Sequence, residues 1–322
     1  MYSMDWLSAI FIILGLCVFE IVMSIDNAVI NAEVLKTMSM RARRWFLLWG
    51  IIFAVFIVRG FLPWIIIWVT NPTLGFFGSF TAAFSSNPLV MDAVAKSAPV
   101  LLMGGGVFLF LLFLHWLFLE EKEFGLSVEK KLFEYGIWFY AVASVFLCLT
   151  VWFSLKINPM VTFGAVIGST TFFITQGFKE NAEDAEKKLL TNKSKGFSAD
   201  ISKILYLEVI DATFSVDGVL GAFAFTLIVP LIIIGNGLGA FVVRELTVRN
   251  IEVIKKYKYL KNGAMYSIFF LGLIMVFEGF GHHIPFFVSP LITFAVIGYF
   301  LYRSHISFKT MEKALSTSRK NK

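Results

Sequence analysis

Two long apolar stretches of this sequence contain a set of five acidic residues that could do chemistry, although an ionised side chain is costly there. They are Glu20, Asp26, Glu208, Asp211 and Asp217. A charged side chain at the centre of a bilayer costs at least about 2.5–3.5 kcal/mol on insertion scales. Cations, protons, or the arginines Arg59 and Arg244 of neighbouring apolar stretches must therefore offset these carboxylates.

The acids belong to a motif that occurs twice. Residues 20–27 read Glu-Ile-Val-Met-Ser-Ile-Asp-Asn, and residues 211–218 read Asp-Ala-Thr-Phe-Ser-Val-Asp-Gly, with a constant offset of 191. A Gly-x8-Arg pattern follows each copy in the next apolar stretch, at 50–59 and 235–244. Because the two patterns recur in the same order, we interpret them as an internal repeat.

Helical periodicity places part of each motif on one face. In a regular helix Glu20, Ser24 and Asn27 share a face, at positions i, i+4 and i+7, whereas Asp26 lies about 120° from it. All these side chains can converge only if the helix unwinds near Ser-x-Asp, so a broken helix is predicted in each half. The corresponding face of the second copy carries Glu208, Asp211 and Ser215.

Carboxylate, amide and backbone oxygens are the ligands that hard divalent ions such as Mn²⁺, Mg²⁺ and Ca²⁺ prefer. Zinc or copper would be expected to recruit His or Cys, and neither occurs in the two motifs. The predicted ligands are Glu20, Asp26, Asn27, Glu208, Asp211 and Asp217. The predicted supporting and charge-balancing residues are Ser24, Ser215, Arg59 and Arg244. The alternative is a structural core in which the two arginines form salt bridges.

The composition identifies the elements that must position these residues. Of the 322 residues, 58% are hydrophobic and 16% are charged, and the mean hydropathy is +0.78. A soluble domain carries about 25% charged residues, so the chain is predicted to be an all-α polytopic membrane bundle. The two cysteines, Cys17 and Cys148, form no metal-binding pattern and give no disulfide framework.

Nine stretches are long and apolar enough to span a bilayer. They lie at about 6–34, 45–69, 99–119, 134–155, 160–178, 204–229, 231–248, 262–280 and 285–302. The segment 70–98 contains Pro72 and Pro88 and is predicted to be an external loop or a re-entrant segment.

The basic residues predict the orientation, because 25 of the 28 lysines and arginines fall on one side of a nine-span chain. Their segments are 35–44, 120–133, 179–203, 244–261 and 303–322. The positive-inside rule then places the N-terminus outside and the C-terminus in the cytoplasm. These charges are interpreted as topology signals and lipid head-group contacts, not as a nucleic-acid surface.

The repeat and the orientation together give the predicted domain organisation. A single transmembrane domain, 1–322, contains a first repeat at about 6–119 and a second at about 204–280, with spans 1–3 inverted relative to spans 6–8. The remaining parts are linking spans at 134–178, a cytoplasmic loop at 179–203 and a cytoplasmic tail at 303–322. Inverted repeats with broken helices are typical of secondary transporters.

At these motifs the chain resembles the TerC-type membrane family, named for tellurium resistance and grouped with the LysE-like exporter superfamily. The resemblance covers most of residues 6–302, and the chain resembles a divergent subfamily. The family usually has Asp-Ser-Ile-Pro-Ala where this chain has Asp-Gly-Val-Leu-Gly at 217–221. The resemblance implies a bacterial inner-membrane protein that exports manganese, with the six predicted ligands as its candidate ion-binding positions.

The expected function is thus a divalent-cation transporter that is not an enzyme and needs no cofactor, with the lipid bilayer and a metal ion as its partners. One alternative is an intramembrane aspartyl hydrolase, in which two aspartates share a proton. Another is a membrane assembly or stress-resistance factor that transports nothing. The oligomeric state does not follow from the sequence.

Overall fold

The structure is a computed structural model of the 322-residue chain. It describes residues 6–24, 28, 34–35, 37–50, 60–61, 64–65, 68, 75–83, 88–122, 124–191, 197–249 and 257–320. Side chains are described over the same residues except 47–48, 82–83, 88–96, 182–191, 197–199, 210–214, 246–249 and 310–320.

The chain forms eleven α-helices within the described residues. They are α1 (Trp6–Met23), α2 (Met40–Trp45), α3 (Gly75–Ala83), α4 (Pro88–Leu119), α5 (Ser127–Glu134), α6 (Trp138–Leu155), α7 (Pro159–Thr191), α8 (Phe197–Ala222), α9 (Val229–Arg249), α10 (Leu260–Gly279) and α11 (Val288–Lys320). A π-helical turn, Phe46–Gly50, directly follows α2.

Among the described helices, six are long and apolar enough to cross a membrane. Their apolar parts are Trp6–Met23, Ser97–Leu119, Trp138–Leu155, Pro159–Asn181, Leu260–Gly279 and Val288–Lys309. The prediction of an all-α polytopic membrane bundle is therefore confirmed. The predicted spans at 204–229 and 231–248 correspond to α8 and α9, and most of 45–69 lies outside the described residues. The count of nine spans and the inverted repeat stay predictions.

Helix α4 lies at the centre of the bundle, packed between α7 and α10. Glycines allow the close approach: a Cβ built on Gly104 would lie 2.9 Å from the carbonyl oxygen of Gly164. On the other face, a Cβ on Gly106 would lie 2.9 Å from the carbonyl oxygen of Gly272. Within lipid no hydrophobic driving force holds helices together, and small residues allow the close van der Waals packing that does. The glycines at 104–106 thus serve close helix packing on both sides of α4.

Helix α1 packs against α9 through a second pair of glycines. Gly235 faces Leu16, and Gly239 faces Glu20 and the carbonyl oxygen of Cys17. These contacts put the first predicted acid directly between neighbouring helices. By contrast, α6 exposes bulky apolar side chains such as Trp152, as expected of a helix that faces lipid.

The segment 70–98, predicted to be an external loop or a re-entrant segment, is helical over most of its length. Residues 75–83 form α3, and α4 begins at Pro88, eleven residues before the predicted third span. An irregular loop is therefore wrong there, whereas the re-entrant segment stays a prediction. Proline fits the first turn of a helix because no backbone N–H is needed there. Helix α4 also continues through Pro99, which is tolerated in membrane helices when neighbouring groups satisfy the backbone.

Two further segments are helical where the sequence suggested none. Helix α7 continues to Thr191 and α8 begins at Phe197, so most of the segment 179–203 is helix. Helix α11 likewise extends to Lys320, so residues 303–320 of the predicted tail are helical. The cytoplasmic location of both segments stays a prediction.

The start of α8 is fixed by the segment that contains α2. Ser39 caps α2 by accepting a hydrogen bond from the Ala42 amide, and its own amide donates to the buried carboxylate of Asp200. Close by, the Lys203 ammonium donates to the Thr37 hydroxyl at 3.0 Å. These bonds hold the acidic helix α8 against residues 37–42.

Candidate functional site

Helix α8 carries the second acidic motif on a continuous helix. The sequence predicted unwinding near Ser215 and Asp217, but the helix ends only at Ala222, so this prediction is wrong. Asp217 contacts a cationic side chain from regular helical backbone, so no carbonyl has to be released to balance its charge. The break predicted for the first half falls at 25–27, outside the described residues.

Glu20 lies at the meeting point of α1, α8 and α9, and only 1% of its surface is exposed. The Ser24 hydroxyl donates a hydrogen bond of 2.6 Å to Glu20 Oε1. Its other carboxylate oxygen, Oε2, lies 3.1 Å from the position of a Cβ built on Gly218. Glycine at 218 and at 239 therefore leaves room for the Glu20 side chain between the helices.

Asp217 forms a buried ion pair with Lys179 of α7. The exposed fraction is 4% for Asp217 and 6% for Lys179. The sequence alone did not indicate this partner, because Lys179 directly follows an apolar stretch and resembles the other lysines of the segment 179–203. One signal could have found it: five intramembrane acids exceed the two arginines available to balance them.

Glu208 lies in a different environment, beside Arg244 of α9. The two side chains form an ion pair with 4.0 Å between Arg244 Nη2 and Glu208 Oε1. Arg244 also donates a hydrogen bond of 2.9 Å to the Phe46 carbonyl and lies 4.4 Å from the centre of the Phe46 ring. Gly50 closes this pocket, because a Cβ there would overlap Glu208 Oε1.

The three predicted ligand carboxylates whose side chains are described thus fall into two groups. Glu20 adjoins Gly218, next to Asp217, whereas Glu208 lies nine residues earlier on α8, about 13.5 Å along the helix axis. Of the other predicted site residues, Ser215 is buried on α8, while Asp26, Asn27, Arg59 and the side chain of Asp211 lie outside the described part of the structure.

A metal site complete within the described side chains is not present. Among the described residues, no three or more His, Cys, Asp or Glu side chains lie close enough together to hold an ion. Glu20 and Asp217 supply two carboxylates from neighbouring positions on α1 and α8. Further ligands would have to come from other polar side chains or from predicted ligands that lie beyond the described residues.

One such polar residue is Asn236 on α9, which the sequence analysis did not single out. It is fully buried, at 0% exposure. Neither its amide nitrogen nor its amide oxygen has a hydrogen-bond partner within the described residues. It lies one residue from Gly235 and three from Gly239, the glycines that receive Leu16 and Glu20 of α1. A buried amide without a partner is costly, so the side chain of Asn236 is a candidate to bind a ligand.

Most of the chain matches a single protein-family model. The family model described as "Protein of unknown function (DUF475)" matches residues 25–311, which is most of the chain. The chain belongs to the DUF475 family. The match includes both Asp217 and Lys179, whereas Glu20 and Ser24 precede it.

The DUF475 chain is also similar to a curated protein of Bacillus subtilis (strain 168), "Uncharacterized membrane protein YceF". The two are 31% identical over 123 residues, which are 37% of this chain and 48% of the relative. The chain therefore spans about half the length of that relative. No solved structure matches the chain.

A second polar cluster of this DUF475 protein joins the end of α4 to α5 and α10. Glu129 is buried and accepts hydrogen bonds from the Leu126 amide at 2.8 Å and from Asn262 at 2.7 Å. Glu120 forms an ion pair with Lys261 at the start of α10. These contacts cap α5 and tie it to α10, so we interpret the cluster as structural.

Lys122 belongs to the same cluster and lies in the connection between α4 and α5. Its ammonium donates to the carbonyl oxygens of Trp116 and Glu120 and lies 4.6 Å from the centre of the Trp116 ring. Burial lowers the pKa of Lys122 from 10.5 to about 8, against the opposing effect of Glu120 and Glu129. Lysine at the end of α4 satisfies helix carbonyls that would otherwise lack donors.

Proposed function

We propose that this membrane protein transports a divalent cation through the bilayer, with a site built around Glu20 and Asp217. The observation that carries the proposal is the contact of Glu20 with α8 at Gly218, beside Asp217. Both carboxylates are buried within an apolar bundle. Buried ionisable groups in membrane helices are expensive and commonly mark ion pathways.

Manganese is the ion we propose, with magnesium and calcium as the other hard cations to test. Carboxylate and amide oxygens suit these ions, and Asn236 adds a buried amide within a helical turn of Gly239. The resemblance to the TerC-type family supports manganese export in particular. Asp26, Asn27, Asp211 and Glu208 are proposed as ligands for other stages of the transport cycle.

The remaining functional details belong to the same proposal. The protein acts in a bacterial inner membrane with its N-terminus outside and its C-terminus in the cytoplasm, as the distribution of basic residues favours. It is a transporter and not an enzyme, and it requires neither a cofactor nor a nucleic acid. Its partners are the lipid bilayer and the transported ion.

Metal flux into proteoliposomes tests the proposal. Purified wild type, Glu20→Gln and Asp217→Asn are reconstituted at equal density, and manganese entry is followed by the quenching of an enclosed fluorophore. Each substitution removes a charged ligand, so we expect at least about a tenfold loss of flux. Glu180→Gln is the matched control, since Glu180 is an exposed carboxylate on α7 next to Lys179, and it should transport like wild type.

Two results would contradict the proposal. The first is that wild type shows no flux of manganese, magnesium or calcium above empty vesicles. The second is that both variants transport like wild type, which would remove Glu20 and Asp217 from the pathway. Finally, loss of folded protein in the variants with no wild-type flux would favour the assembly-factor alternative.

A further inference from the structure

The ion pair between Lys179 and Asp217 places a lysine ammonium at the proposed cation site. The contact joins α7 to α8, and both side chains are buried. An ammonium therefore already neutralises the carboxylate that the proposed function assigns to the metal. A transported cation must displace this ammonium before it can contact Asp217.

The displacement discriminates between cations by charge. Lys179 is covalently part of α7, so its ammonium cannot diffuse away from Asp217. A monovalent ion that replaced the ammonium would carry the same single charge and would therefore interact no more strongly with the carboxylate. A divalent ion interacts with each carboxylate about twice as strongly as a monovalent ion at the same distance. Glu20, which contacts the neighbouring Gly218, provides a second carboxylate that attracts a divalent ion more strongly than a monovalent one.

We propose that Lys179 is the resident cation of this site and that its ammonium excludes monovalent ions, so that only a divalent ion displaces it. This inference rests on the proposed transport of divalent cations. It makes Lys179 a specificity-determining residue. It also accounts for a buried lysine opposite a predicted metal ligand, an arrangement that would otherwise only weaken metal binding.

Two substitutions at Lys179 change the competitor in opposite directions. Lys179→Gln removes the ammonium, so manganese should bind at least about tenfold more tightly, and sodium should now compete with it. Lys179→Arg keeps the charge and can form a two-point contact with a carboxylate. Manganese should therefore bind Lys179→Arg about tenfold more weakly, with sodium still excluded.

The control is Lys203→Gln. Lys203 is also a buried lysine and lies within α8 itself, but among the described residues it contacts the hydroxyl and carbonyl oxygens of Thr37 rather than a carboxylate. Its loss should leave the manganese affinity and the effect of sodium unchanged. If Lys179→Gln does not fold, Lys179→Arg still decides the question, because it retains the charge opposite Asp217.

The measurement is manganese binding to purified protein by calorimetry, first in N-methyl-D-glucamine chloride and then in sodium chloride of the same ionic strength. The inference is overturned if wild type binds manganese but neither variant changes its affinity in the stated direction. It is also overturned if sodium leaves manganese binding to folded Lys179→Gln unaffected. Absence of manganese binding and flux in wild type would instead contradict the proposed function itself.

Discussion

The Cβ of Glu20 on α1 lies 2.6 Å from the position that a Cβ on Gly239 of α9 would occupy. The same position is 2.8 Å from the carbonyl oxygen of Cys17, which is backbone and cannot move aside easily. Gly239→Ala should therefore force α1 and α9 apart. We expect a loss of stability of about 1–3 kcal/mol, measured as a lower thermal unfolding midpoint in detergent.

Gly177→Ala provides the matched comparison for this prediction. Gly177 lies within α7, and a Cβ there would meet no atom within 4 Å. Alanine is favoured over glycine inside a helix by about 1 kcal/mol, so this variant should be slightly more stable than wild type. If Gly239→Ala unfolds at the same temperature as Gly177→Ala, the packing of α1 on α9 is not as described.

The Lys179–Asp217 pair should be strongly coupled in stability. Removing one member of a buried ion pair leaves the other charge to be buried alone and costs about 3–5 kcal/mol, whereas removing both can be nearly neutral. Asp217→Asn and Lys179→Gln should each destabilise the protein, and the double variant should recover most of the loss. Thermal unfolding of all four proteins completes a double-mutant cycle. Additive effects would show that the two side chains do not interact.

The membrane fold was predictable because it depends on long apolar stretches, which are visible in composition alone. Helix ends were less predictable. Residues 180–190 are rich in alanine, lysine and glutamate, which favour helix, so α7 continues beyond its apolar part. Pro88 suggested a break, yet it occupies the first turn of α4, where proline fits.

The site was predictable in its residue types but not in its pairing. A carboxylate in an apolar stretch is conspicuous because burying its charge costs free energy. Glu20, Glu208 and Asp217 could be identified on that basis. Their partners depend on which helices cross. The charge of Lys179 and the amide of Asn236 gave no periodic signal, so neither could be assigned to the site before the helices were placed.

Replacing Asn236 should raise the thermal stability of the protein and lower its transport activity. A buried amide without a hydrogen-bond partner costs about 1–3 kcal/mol, and leucine has a similar size without polar atoms. Asn236→Leu should therefore raise the thermal unfolding midpoint, and it should lower manganese flux if the amide oxygen is a ligand. Both quantities are measured on the same purified protein, in detergent and in proteoliposomes.

Asn262→Leu is the counterpart that separates a ligand from a structural amide. Asn262 is also buried, but it donates to Glu129 at 2.7 Å. Its replacement should lower the unfolding midpoint, because Glu129 loses a donor in a buried position. If Asn236→Leu is destabilised like Asn262→Leu and transports normally, Asn236 has a structural role and no part in the site.

Lys122 should make stability depend on pH in the alkaline range. Burial lowers its pKa to about 8 in the folded protein, against 10.5 when unfolded, so the unfolded chain binds more protons between these values. Stability contributed by Lys122 should consequently rise as the pH increases from about 8 towards 10.5. Lys122→Met should flatten this rise in thermal unfolding measurements, whereas Lys130→Met, which alters an exposed lysine of α5, should retain it. An equal rise in wild type and Lys122→Met would show that the Lys122 ammonium is as well solvated in the folded protein as in the unfolded chain.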